Sequence, residues 1–408
     1  MRSASGWLSA VLALELMLCS AAGAADWPQW RGANRDGKVT GFTVPQAWPK
    51  ALTKKWTAAV GAGDATPALV GDRLYVFARQ GQDEVTLCLD ADDGKELWRD
   101  QYAADPPTGA AARHSGPRSS PAVADGKVVT LGVNGVLSCL DAASGKLLWR
   151  KDPFPKTVPQ FFTAMSPIIV DGMAVAHLGG KGKGAIIAYD LATGNEKWRW
   201  DAEGPEYASP ALTTVEGVKQ LVTLTEKSIV GVAVADGKLL WQLPFAPQMR
   251  AYNAATPIVD GQTVICTGAA RGTKALRIEK QGDAFTAKEL WNNPDVAVQF
   301  NTPVLENGLL FGLSSRGNLF CLDAKDGKAA WTDAAQHGRG FAAIVDAGQV
   351  ILALPSTSEL IAFKPSAAAY EEVARIKVSE TPTYAHPILA GNRVFVKDQD
   401  ALTLLTLE

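Results

Sequence analysis

Residues 137–150 read LSCLDAASGKLLWR: an apolar run, an aspartate, a Ser-Gly turn and a second apolar run that ends on a tryptophan. Two apolar-rich runs joined by a short glycine-bearing turn predict a β-hairpin. The stretch recurs as CLDADDGKELW (88–98), AYDLATGNEKW (188–198), GVAVADGKLLW (231–241) and CLDAKDGKAAW (321–331), with a degenerate copy, QGDAFTAKELW, that ends at Trp291. Trp98, Trp149, Trp198, Trp241, Trp291 and Trp331 therefore fall 40 to 51 residues apart, the period of one four-stranded propeller blade.

A second marker opens each unit: a hydroxyl residue and a proline before an alternating run, as in TPALVGDRLYVF (66), SPAVADGKVVTL (120), SPIIVDGMAVAH (166) and SPALTTVEGVKQLVTL (209). TPIVDGQTVICT (256) and TPVLENGLLFGL (302) follow, then the proline-less AAIVDAGQVILAL (342) and HPILAGNRVFVK (386). Proline is tolerated at the head of a strand, where no ladder donor is needed. The last unit stops at ALTLLTLE, one strand short, while ALTKKWTAAV (51–60) carries Trp56 ahead of the first full unit. An all-β, eight-bladed β-propeller of four-stranded antiparallel blades, closed by the N-terminal strand, accounts for both ends and leaves no open sheet edge at the seam. Seven blades, with 342–376 degenerate, is the alternative count.

Glycine four residues before the tryptophan suits a turn with positive φ, and the indole is free to cover apolar surface between sheets. At this point the sequence resembles the pyrroloquinoline-quinone (PQQ) repeat family, whose docking motif AYDLATGNEKW matches almost position by position over a region of about 50–408. DWPQWRGANRDG (26–37) is also similar to the lead-in of exported members. The resemblance implies that Trp56, Trp98, Trp149, Trp198, Trp241, Trp291 and Trp331 lock blades together and do not themselves hold quinone. Ten residues before the tryptophans stand Cys88, Cys139, Ala188, Gly231, Gln281 and Cys321, nearly all small. Cys88, Cys139 and Cys321 read as packing residues, Cys266 packs inside its strand, and no disulfide is expected.

The formal charge of −2 gives no basis for nucleic-acid binding, which needs a clustered basic surface. Arg2, an apolar run from Trp7 to Leu18 and the small residues of SAAGAAD predict a signal peptide over 1–25, followed by a lead-in segment, 26–49, and a single propeller domain, 50–408. The run is too short to stay as a membrane span, and Leu18 before Cys19 departs from a lipidation signal. An exported, soluble and monomeric protein is expected, periplasmic or otherwise extracytoplasmic.

Segments feeding the innermost strands supply candidates for a central funnel: Arg118 in GPRSSP, Tyr207 in EYASP, Arg250, Tyr252 and Asn253 in QMRAYNAATP, Asn301 beside Phe300 in QFNTP, Arg339 in GRGFAAI, and Tyr384 and His386 in TYAHP. Glu206 is a lone candidate calcium ligand. GGKGKG (179–184) lacks the Lys-Ser/Thr ending of a phosphate loop and reads as a hairpin tip; His177 reads as a core residue. No catalytic constellation and no metal site emerge.

Two functions fit. The resemblance to BamB-like members implies a noncatalytic scaffold that holds envelope protein partners and needs no cofactor. The resemblance to quinoprotein dehydrogenases implies PQQ and calcium for the oxidation of alcohols or sugars. The chain has no adjacent cysteine pair and no CxxCH haem site, which favours the first.

Overall fold

The computed structural model describes residues 26–248 and 251–408; the expected signal peptide and Arg250 lie outside the described residues. Eight four-stranded antiparallel sheets form the ring. Blade I covers 68–103, II 122–151, III 168–200, IV 211–244, V 258–293, VI 304–332 and VII 342–377. Blade VIII joins 388–406 to the strand Thr53–Ala59, which pairs with Ala401–Thr406 in a register that sets Trp56 opposite Leu404. Strand Thr53–Ala59 and the last strand, Ala401–Thr406, thus share one sheet. The proline-less unit at 342 forms a complete blade, which removes the seven-blade alternative.

Local sequence dictates the hairpins. Asp125-Gly126, Asp171-Gly172, Glu216-Gly217 and Asn307-Gly308 each take positive φ at both residues, the turn whose twist matches that of the flanking strands. GGKGKG likewise lies on a hairpin, between strands Met173–Gly180 and Lys183–Asp190.

Between blades the repeated tryptophan does one job. Trp149 sits opposite Cys139 in its own sheet and points onto the turn of the next blade, where its Nε1 donates to Leu191 O at 3.1 Å. A Cβ on Gly194 would come within 2.6 Å of the indole. The turn residue is therefore glycine for two reasons, its φ of 70° and the ring pressed against it. Trp56, Trp98, Trp198, Trp291 and Trp331 likewise donate to carbonyls of the following blade, at Ala91, Ala142, Val234, Ala324 and Ser366.

Trp241 departs from this pattern. Blade V carries a long outer hairpin, Gly272–Gln281 with Ala284–Asn293, in place of the glycine turn that would receive an indole. Trp241 Nε1 instead donates to Gln220 Oε1 of its own blade at 2.7 Å. In the lengthened hairpin the small residue opposite Trp291 is Ala275, while Gln281, ten residues before that tryptophan, pairs with Ala284. Cys88, Cys139, Cys266 and Cys321 are buried and free, and burial pushes each thiol up to about 12.

Hydroxyls that precede the strand-head prolines link neighbouring blades. His386 N–H donates to Thr66 Oγ1, Thr66 N–H to Ser120 Oγ, Ser120 N–H to Ser166 Oγ, and Ser166 N–H to Ser209 Oγ, at 2.8 to 3.1 Å. Thr256 N–H gives the same bond to Thr302 Oγ1 at 3.0 Å. These residues feed the innermost strands, so the bonds tie neighbouring blade heads to one another around the axis at five of the eight junctions.

Candidate binding site at the propeller mouth

The lead-in occupies the axis. Trp27 exchanges backbone bonds with Leu69 of blade I, and Pro28 O accepts from Val123 N–H of blade II. Arg31, fully buried, donates to Thr302 O and Pro303 O at the head of blade VI. Arg35 reaches the other way, to Ser166 O and Pro167 O at the head of blade III. A guanidinium carries five donors in a fixed fork and suits carbonyls that no strand can satisfy. Burial lowers both, to about 10 for Arg31 and about 9 for Arg35, still far above neutral pH, so two cations stand in the centre of the ring. Lys38 closes the segment, bonding Glu306 at 2.6 Å and Asp346 at 3.3 Å. Trp30 crosses the axis and donates to Thr256 Oγ1 at 2.9 Å.

Above Trp30 lies a cavity of about 350 Å³. Its wall is aromatic, one ring from each of seven consecutive blade heads: His114, Phe161, Tyr207, Tyr252, Phe300, Phe341 and Tyr384. Phe161 meets Tyr252 edge-on at 5.1 Å, and Tyr207 meets Tyr252 at 5.8 Å. Across the mouth, Phe300 and Phe341 stack at 4.3 Å, Phe341 packs on Tyr384 at 5.5 Å, and Tyr384 on His114 at 4.8 Å. His386 and Trp30 form the floor, edge to face at 4.7 Å, with Ser166, Ser209 and Thr302 beside them.

Several polar groups of the wall are engaged within the protein. Arg118 donates to Phe161 O, Ala111 O and His114 O, and burial lowers its basicity. Asp64 holds the His114 imidazole at 2.7 Å through Nδ1. Tyr207 Oη accepts from Phe161 N–H at 3.1 Å, and Asn301 donates to Leu313 O and Gly340 O.

Of the residues expected to line a funnel, Arg118, Tyr207, Tyr252, Asn301, Tyr384 and His386 line this cavity together with Phe300. Asn253 does not: it is fully buried and braces the loops, donating to Thr225 O and Phe245 O and accepting from Arg271. Arg339 is exposed and outside the lining, between Gly338 and Gly340, both at positive φ. Glu206 also lies outside the lining; it accepts from Asn253 N–H, and burial pushes its carboxyl up to about 7. His177 is buried, bonded to Glu203 O at 2.9 Å, and lowered to about 4 by burial. The residues that the sequence reading missed are Trp30, Asp64, His114, Phe161 and Phe341. The offset of two residues before the hydroxyl marker, shared by Tyr207 and Phe300, was the available signal; it reaches Asp64, two before Thr66, but not Trp30, His114 or Phe161, and the unit at 342 has no hydroxyl marker from which to place Phe341.

The lining does not suit PQQ with calcium. Three carboxylates call for several free guanidinium forks, whereas Arg118 is the one arginine among the described lining residues and is spent on carbonyls. A calcium ion wants six to eight oxygens, and among the described residues no group of three or more His, Cys, Asp or Glu converges to hold a metal.

The ring of tryptophan-docked blades defines a PQQ-like β-propeller. A family model described as outer membrane protein assembly factor BamB matches residues 82–333, more than half of the chain, and the chain belongs to that family. BamB of Yersinia pestis is 24% identical over 321 residues, 76% of this chain and 68% of that protein. The quinohemoprotein alcohol dehydrogenase ADH-IIG of Pseudomonas putida is 30% identical over 140 residues, 34% of this chain and 19% of its own length. The crystal structure of the quinohemoprotein alcohol dehydrogenase of Comamonas testosteroni superimposes with a TM-score of 0.69 at 16% identity, covering 95% of this chain and 81% of that one. Dehydrogenases and assembly factors thus share the scaffold, and function has to be argued from the site. No helix among the described residues is long and apolar enough to cross a membrane.

Proposed function

We propose that the protein is an exported, noncatalytic propeller of the cell envelope that binds protein partners at its mouth, in the manner implied by its BamB relatives. The aromatic cavity carries this reading: a concave basin whose arginine is spent on carbonyls and whose Asp64 and His114 are paired to each other offers burial to an incoming side chain. Aromatic anchors in desolvated pockets are where binding energy concentrates in protein interfaces. The lead-in supports the same reading, since it blocks the axis with Trp30 and turns a channel into a blind socket.

A photo-crosslinking amino acid placed at Phe300, on the rim and 38% exposed, tests the proposal in intact envelopes. A discrete adduct that is absent when the crosslinker sits at Lys95, on the blade I turn, supports it. Uniform labelling, or the same adducts at both positions, counts against it.

A further inference from the structure

The floor of the cavity has a hydrogen-bonding sense. His386 Nδ1 is sealed from solvent and has no partner. A buried N–H without an acceptor is rarer and costlier than an unfilled lone pair, so the proton of the neutral ring belongs on Nε2, the nitrogen left to face the cavity. Ser166, Ser209 and Thr302 agree with this. Each hydroxyl oxygen accepts a backbone N–H of the preceding blade, which leaves its own O–H to donate. The floor is therefore a set of donors, and the buried cations Arg31 and Arg35 beneath it favour an acceptor oxygen at the same point. The rim sets a limit: Asp64 is a carboxylate, and Arg118 is spent on carbonyls, so a charged carboxylate would shed its water without gaining a guanidinium.

We propose that this cavity receives a phenol-type ring, the tyrosine side chain of a partner protein, with its faces against the aromatic wall and its hydroxyl oxygen on His386 Nε2–H and the floor hydroxyls. The proposal rests on the scaffold reading above and names what that scaffold reads. A site built to bond a hydroxyl discriminates against the analogue that lacks it, because its own buried donors are then left unpaired.

Calorimetric titration of the full chain with N-acetyl-tyrosinamide and N-acetyl-phenylalaninamide tests it without any partner. Tyrosinamide is expected to bind about tenfold more tightly, the worth of one net hydrogen bond at the upper end of the usual range; equal affinities overturn the proposal. His386→Phe should abolish the preference while keeping the phenylalanine analogue bound. Phe300→Ala, at the half-exposed rim, should weaken both analogues alike and serves if the histidine variant fails to fold. Tighter binding of 4-methylphenol than of tyrosinamide would overturn the partner-side-chain source in favour of a free phenol, and tighter binding of benzoate would overturn the uncharged ring. Tyrosinamide binding without a crosslinked partner would sink the scaffold reading and leave the pocket; a crosslinked partner with no tyrosine preference would do the reverse.

Discussion

Gly194→Ala and Gly126→Ala form a matched pair that isolates the docking of blades. Both glycines lie in turns with nearly the same backbone, φ 70° and 69°, so both variants incur the left-handed cost of a Cβ, about 1–2 kcal/mol. Around Gly126 nothing stands within 4 Å of the added carbon, whereas at Gly194 that carbon would lie 2.6 Å from Trp149. Real side chains do not tolerate that distance, so the indole must leave its seat and give up its bond to Leu191 O. Emptying a buried tryptophan site costs about 3–5 kcal/mol, and partial displacement costs a fraction of it. Gly194→Ala should therefore exceed Gly126→Ala by about 2 kcal/mol or more in urea unfolding followed by far-ultraviolet circular dichroism. Equal midpoints for the two variants would refute the claim that the repeat exists to seat tryptophans across blade boundaries.

Other consequences follow from buried groups. Arg31→Met should cost about 3 kcal/mol or more in the same assay, because four carbonyl acceptors, of Arg35, Asp36, Thr302 and Pro303, lose their charged donor and the ring loses its axial brace. His177, lowered to about 4 against an ordinary value of 6.5, binds a proton more readily unfolded than folded between those pH values; stability should fall as pH drops from about 6.5 toward 4, and His177→Gln should flatten that part of the profile of urea midpoint against pH. Cys88, Cys139, Cys266 and Cys321 should resist a thiol reagent in the native protein and react in full once it is unfolded, since burial removes both access and thiolate character.

The ring was legible because its determinants are local and repeated. A glycine turn, a tryptophan and a hydroxyl-proline head recur in most units, so each copy corrects the reading of the others, and the orphan Trp56 predicted the seam. Where one unit departs from the pattern, that support fails: in the long hairpin of blade V the small residue opposite Trp291 is Ala275 and not the residue ten before it, and Trp241 is left without its neighbour's turn. The site was legible in part. Tyr207, Phe300 and Tyr384 share an offset from the strand heads, and the cavity gathers them. Arg339 and Asn253 occupy comparable positions but lie outside the cavity, Arg339 exposed to solvent and Asn253 held by loop bonds, which sequence spacing does not encode. The axial role of Arg31 and Arg35 was hidden for a different reason. Their acceptors on the blade heads are carbonyls 131 to 272 residues away, and backbone oxygens leave no mark in a sequence.

Titration of PQQ with calcium into the full chain, followed by the thermal unfolding midpoint, bears most directly on what the mouth is for. A ligand selective for the folded state must raise that midpoint. An aromatic socket whose single described arginine is already bonded predicts no shift at concentrations where N-acetyl-tyrosinamide gives one. A saturable rise with PQQ and calcium, lost in Arg118→Ala, would contradict the account and make the protein a quinone enzyme.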